Sequence, residues 1–189
     1  MQYTSLIAHL IDIAWTVMIL VWIVGMFSAK RTARRVGGSW LLYRFVALAV
    51  VYFVLRYAGL SNTVFTYYIQ APVVQWIGLV CVYVGVALAI WARFYLGRNW
   101  GMPMSEKEGA ELVTTGPYAF IRNPIYSGVL LAITGSALCL GLLWAIILVL
   151  YAAYLIPSVF TEEKIMARLF PETYPAYKAR TKRLIPWVW

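Results

Sequence analysis

The sequence predicts an all-α integral membrane protein with about five transmembrane helices, the last two a helical hairpin, and a C-terminal amphipathic helical tail. Three observations carry this. The 189 residues are 63% hydrophobic and 12% charged, whereas soluble domains run about 45–50% apolar and about 25% charged. The apolar residues form runs close to the roughly 20 residues that cross a bilayer as a helix. The basic residues, 16 Lys and Arg against 7 Asp and Glu for a net charge of +9, sit in short blocks between those runs. A nucleic-acid-binding chain would line a polar helix or groove with them instead, so no nucleic-acid partner is expected.

The first span is expected from Leu6 to Phe27, with His9 and Asp12 near its start. It has neither a basic n-region nor a small-residue cleavage site, and its apolar run is too long for a cleaved signal peptide. The second covers Trp40 to Leu60, with Arg44 and Arg56 near its ends, where long basic side chains extend to the headgroups. The third runs from Pro72 to Leu96 and is apolar until Arg93; a polar stretch, Gly97 to Arg122, follows. The last apolar block, Pro124 to Phe160, is too long for one crossing and reads as two helices turning near Leu140-Gly141, since Gly favours a tight connection. Pro157 is expected to kink the second of them. Beyond it, Glu162 to Arg168 continue as an amphipathic helix with Ile165, Met166, Leu169 and Phe170 on one side. Pro171 and Pro175 are expected to end it, because each removes an amide donor and disfavours helix in the preceding residue. Tyr174, Tyr177, Trp187 and Trp189 suit the membrane interface.

Charge orients the spans. Lys30, Arg31, Arg34 and Arg35 form the first loop, whereas Ser61 to Ala71 carries no charge. Arg93, Arg98, Lys107 and Arg122, then Lys164, Arg168, Lys178, Arg180, Lys182 and Arg183, return to the side of the first loop. By the positive-inside rule that side is cytoplasmic, which puts the N-terminus outside and the C-terminus inside. The whole chain, residues 1–189, reads as a single membrane domain with a two-helix N-terminal part, 1–71. One histidine, His9, and two cysteines, Cys81 and Cys139, are too few for a zinc site of three or four N/S ligands, and no metal is expected. Both cysteines lie in apolar runs and imply no disulfide framework.

The polar information is concentrated in 97–126 and 161–186. Gly116-Pro117 marks a turn. Asn123-Pro124 reads as a helix start, with Asn at the cap and Pro at the first helical position. It serves equally as an ordinary cap at the membrane surface or as part of a site. Glu162 and Glu163 are adjacent and so do not share a helix face. They are either a polar helix end balancing the surrounding Lys and Arg, or a pair of which one faces a pocket. In the second case a carboxylate suits a cationic or ribose-bearing cofactor better than a phosphate. His9 and Asp12 share a face at i, i+3, which fits a capping or interface role.

Two blocks of fixed spacing stand out: Leu112-Val113-Thr114, Gly116-Pro117-Tyr118, Arg122, Pro124, Tyr126 and Gly128, then Glu162-Glu163 followed by Phe170, Tyr174, Tyr177, Thr181, Arg183 and Ile185-Pro186. From Arg93 onward the chain resembles the isoprenylcysteine carboxyl methyltransferase family of integral membrane methyltransferases, an arrangement shared with the phospholipid N-methyltransferases. The resemblance implies a methyltransferase-like core over 72–189, with S-adenosyl-L-methionine held in a cytoplasm-facing pocket built from 97–126 and 161–186. Carried over by position, Leu112, Val113, Gly116, Tyr118, Arg122, Asn123, Tyr126, Glu162 and Glu163 would bind the cofactor. The family usually has His where this chain has Asn123, which donates and accepts hydrogen bonds but does not titrate near neutral pH. Arg93, Arg98, Asn99 and Trp100 lie at the junction with the bilayer and are the candidate catalytic residues contacting the acceptor. That acceptor would be a lipophilic small molecule or lipid-anchored group reached among membrane lipids: a prenylcysteine-like carboxylate, or another lipophilic acid, thiol or amine. Two other readings share the fold: an NADPH-dependent enzyme like the membrane sterol reductases, and a non-catalytic membrane scaffold. No oligomeric state follows from the sequence.

Overall fold

The structure is a computed structural model and describes residues 2–28, 32–35, 71–100, 105–107, 109, 111–186 and 188. Its elements are helix α1 (Gln2–Ser28), strand β1 (Thr32–Arg35), helix α2 (Pro72–Leu96), a 3₁₀ turn (Gly97–Asn99), strand β2 (Ser105–Lys107), a second 3₁₀ turn (Gly116–Ala119), and helices α3 (Pro124–Leu140), α4 (Leu142–Leu169) and α5 (Tyr174–Arg180). Four of the expected spans correspond to α1 to α4; the expected span Trp40–Leu60 lies outside the described residues. Leu6–Phe27, Pro72–Asn99 and Leu142–Leu169 are long and apolar enough to cross a membrane, and α3 is a shorter apolar helix of 17 residues. The protein is an all-α integral membrane protein. The small addition to the helices is an antiparallel ribbon pairing Thr32 with Lys107 and Arg35 with Ser105, which brings the first basic loop beside the polar stretch after α2.

Close packing rather than bulk hydrophobicity joins α2 to α3. In lipid the tails are as apolar as the side chains, so helices associate where small residues let backbones approach. Gly78 and Gly85 of α2 face Gly135 and Gly128 of α3. A Cβ on Gly85 would stand 2.5 Å from the Gly128 carbonyl oxygen, and one on Gly128 would stand 2.5 Å from that of Gly85. The pairing runs 78 to 135 and 85 to 128, so the helices are antiparallel. Leu79, Val82, Val86 and Ala89 meet Ala132 and Ile133 in the buried cluster around this seam. Helix α1 adds Ile7, Ile11, Ala14 and Met18 to the same cluster. Its Trp15 donates from Nε1 to Ser136 Oγ at 3.0 Å and stacks on Trp144 of α4, ring centroids 5.4 Å apart. One aromatic residue thus ties three helices.

The chain reverses at Gly141, whose φ of 91° only glycine adopts without strain. This is the turn expected near Leu140-Gly141. Helix α4 then passes through Pro157 and Glu162-Glu163 to Leu169. The tail differs from expectation in two ways. Pro175 does not end a helix but sits in the first turn of α5, where its missing amide hydrogen would have no intrahelical partner anyway. Tyr174 and Tyr177, at 3% and 4% exposure, are buried inside the protein because α5 folds back on the loop before α3; Trp187 and Trp189 lie outside the described residues. Ile121 and Lys182 form a parallel bridge there. Arg122 N–H donates to Lys182 O at 2.7 Å, and Asn123 N–H to Arg183 O at 3.1 Å.

Candidate active site

The loop before α3 is shaped by Gly116. Its φ is 58°, and a Cβ there would lie 2.5 Å from the Tyr95 ring, so both conformation and space require glycine. Pro117 then presets the 3₁₀ turn that carries Tyr118 inward to 7% exposure. The Tyr118 phenol is pushed well above its ordinary range, first by burial and then by the negative charge of Glu162, with Arg93 acting in the opposite sense.

Arg122 follows and is spent on structure. Its Nε and Nη2 donate to Glu163 Oε1 at 3.2 and 2.7 Å, and its Nη1 donates to the carbonyls of Lys178, at 3.1 Å, and Thr181. Arg183 Nε donates to the same Glu163 oxygen at 2.9 Å, and Lys178 Nζ lies 3.0 Å from Oε2. The Arg122 and Glu163 side chains are 8% and 7% exposed. One buried carboxylate thus gathers three cations and fastens the loop and the tail to α4.

Glu162 is turned about 100° round the helix from its neighbour. It is half-buried, and its Oε1 accepts the Tyr126 hydroxyl at 2.5 Å. The two acids therefore have separate surroundings, one among cations and one among tyrosines. Asn123 begins α3 as expected, but its side chain makes no cap hydrogen bond. Its Nδ2 donates instead to Arg183 O at 3.2 Å, because the strapped tail offers a carbonyl beside it. Ser127 Oγ, one turn on, donates to Asn123 O at 3.1 Å and Leu184 O at 2.5 Å. Leu112 and Val113 are half-buried in the irregular segment leading to Gly116.

The residues expected to meet an acceptor form a second group. Arg93 is 4% exposed. Its Nη2 donates to Gly25 O and its Nη1 to Gly97 O, each at 2.8 Å, so it bolts the end of α1 to the end of α2. The guanidinium lies 4.5 Å from the centroid of the Trp100 ring, which meets Trp22 edge-on at 6.2 Å. Asn99 Oδ1 is buried and, among the described residues, has no hydrogen-bond partner. Arg98 is exposed.

Residues 73–173, from the start of α2 to the turn before α5, match the phospholipid methyltransferase family. The chain belongs to that family. The match takes in both groups of candidate residues and stops short of Lys178, Thr181 and Arg183. Two bacterial relatives are similar over part of this family member. The nickel-cobalt-cadmium resistance protein NccN of Alcaligenes xylosoxydans xylosoxydans is 36% identical over 94 residues, which is 48% of this chain and 44% of that protein. The cobalt-zinc-cadmium resistance protein CzcN of Cupriavidus metallidurans is 36% identical over 105 residues, 54% of this chain and 46% of that protein. The chain thus spans under half the length of each. Among its described residues no group of three or more His, Cys, Asp and Glu could hold a metal ion.

Sequence reasoning did not name Lys178, Thr181 or Arg183 among the site residues, although all three fall in the expected pocket segment 161–186 and Thr181 and Arg183 belong to the spaced pattern after the Glu pair. Only the fold-back of α5 places them against Arg122. The glycine seam did leave a signal: each helix carries its pair of glycines seven residues apart, at 78 and 85 and at 128 and 135.

Proposed function

We propose that this member of the phospholipid methyltransferase family is an S-adenosylmethionine-dependent methyltransferase that works on a lipophilic acceptor within the membrane. The observation that carries the reading is the division between the two acids. Glu163 is committed to Arg122, Arg183 and Lys178, whereas Glu162 accepts the hydroxyl of Tyr126. A carboxylate among aromatic rings fits the cofactor, because rings attract a cationic centre and a carboxylate accepts strong hydrogen bonds from ribose hydroxyls. Glu162, Tyr118 and Tyr126 would make the contacts, with Leu112, Val113, Gly116 and Asn123 around them and Arg122 and Glu163 as the brace. When bound, the cofactor supplies an electrophilic methyl group on a sulfonium.

What the chain's own residues add is alignment and dryness. Holding two reactants in line removes entropy from the barrier, and a site closed to water assists a transfer in which an anionic acceptor is neutralised. Asn99 and Trp100 stand where a lipophilic acceptor would arrive from the bilayer, with Arg98 at the exposed edge and Arg93 fixing the two helix ends. Pairing of Thr32–Arg35 with Ser105–Lys107 supports one common face for the basic segments; that face is cytoplasmic by the positive-inside rule, with the N-terminus outside and the C-terminus inside.

Calorimetric titration of detergent-purified protein with S-adenosylmethionine and with NADPH tests the reading. Binding of the first and not the second is expected, with Glu162→Gln weakening it by about 1.5–3 kcal/mol through loss of a charge-assisted hydrogen bond. Preference for NADPH, or no binding of S-adenosylmethionine, overturns it. Transfer of labelled methyl from S-adenosylmethionine into an extracted lipid phase then identifies the acceptor.

A further inference from the structure

Tyr177 has no task in the reading above, and its surroundings supply one. The tight turn that carries Tyr118 satisfies itself through the carbonyls of Thr115 and Pro117, which accept from Tyr118 N–H, Phe120 N–H and Ile121 N–H. The Tyr118 carbonyl is met from outside: the Tyr177 hydroxyl donates to it at 2.8 Å, inside the protein. Tyr177 is itself held firmly. Thr181 Oγ1 donates to its carbonyl at 2.7 Å, and the Tyr174 ring lies edge-on at 6.0 Å. Arg122 grips the carbonyl of Thr181 in turn, so this contact is continuous with the Glu163 cluster.

We propose that Tyr177 is a positioning residue for the cofactor site: its hydroxyl fixes the backbone at Tyr118 and so sets where the buried Tyr118 ring stands. For the identity of the ligand this rests on the methyltransferase reading; for the geometry it does not. Removing the hydroxyl leaves a buried carbonyl without its donor, which is costly enough for the turn to move. Tyr174 is the matched control, being on the same helix, 3% exposed and, among the described residues, without a hydrogen bond to the loop.

The experiment compares Tyr177→Phe with Tyr174→Phe in the full chain, purified in detergent. Hydrogen exchange of residues 118–122, measured with no ligand present, is expected to speed up about 3- to 10-fold in Tyr177→Phe and to stay unchanged in Tyr174→Phe, as the loss of one net hydrogen bond would give. The Kd for S-adenosylmethionine is expected to rise by a similar factor in Tyr177→Phe alone. Equal exchange in the two variants overturns the proposal, as does a general loss of melting temperature in Tyr177→Phe with no change confined to 118–122. If the parent does not bind S-adenosylmethionine, the methyltransferase reading fails while the exchange comparison still decides the role of Tyr177.

Discussion

Glu163→Gln tests whether Glu163 is the brace and Glu162 is free of that task. The substitution keeps the side chain's size and removes its charge, leaving three cations facing a neutral amide. Lys178, at 47% exposure of its side chain, is near water and loses little, within the about 0–1 kcal/mol of exposed pairs. Arg183 is 25% exposed and loses more, and Arg122, at 8%, loses most. Breaking a buried pair by removing one partner costs about 3–5 kcal/mol, because the remaining charge stays desolvated. Arg122 keeps the Lys178 and Thr181 carbonyls, which places the expected loss near the lower end, about 3 kcal/mol. Equilibrium unfolding in mixed micelles, followed by tryptophan fluorescence, measures it. Glu162→Gln in the same assay is expected to lose less than Glu163→Gln, since a Gln oxygen still accepts the Tyr126 hydroxyl. If Glu163→Gln unfolds with the parent, or the two variants cannot be told apart, the division between the acids is wrong.

Two further substitutions test the backbone. Gly85→Ala gains about 1 kcal/mol of helix propensity but drives a methyl into the Gly128 carbonyl and the Ala132 amide, both backbone; overpacking of about 1–3 kcal/mol should leave it less stable than the parent. Adding Gly128→Ala should then cost less than it does alone, because the helices have already parted, and strict additivity in micelle unfolding would argue against a shared seam. Gly116→Ala meets both a positive φ and the Tyr95 ring, so it should lose more than about 1 kcal/mol and weaken S-adenosylmethionine binding by titration; parent-like behaviour would show that the turn is not held as described.

What could be read from the sequence was whatever one segment decides alone. The reversal at Gly141 was legible because an apolar block too long for one crossing carries a glycine at its middle. The start of α3 was legible from Asn123-Pro124. Residues whose meaning depends on a distant partner were not. Nothing local distinguishes Glu162 from Glu163; the difference arises because α5 returns Lys178 and Arg183 to one side of α4. Arg93 reads as an interfacial cation until α1 is placed, and then Gly25, where a Cβ would stand 2.5 Å from Arg93 Nη2, explains how a guanidinium fits between two helices. Asn123 reads as a side-chain cap by residue type, yet its oxygen makes no cap bond and its amide nitrogen donates to the tail's Arg183 carbonyl.

The strap between residues 121 and 182 also has a consequence for biosynthesis. The ribosome delivers α1 to α4 before the tail, and domains generally consolidate in the order they are made. The glycine seam and the Trp15 contacts need only those helices, so a packed bundle can settle in the bilayer while Arg122 and Glu163 still lack Lys178, Thr181 and Arg183. The Arg122–Glu163 cluster is therefore completed last, when the tail docks. A protease that nicked the turn after Leu169 would release the tail's cations from Glu163 while leaving the contacts among α1 to α4 in place.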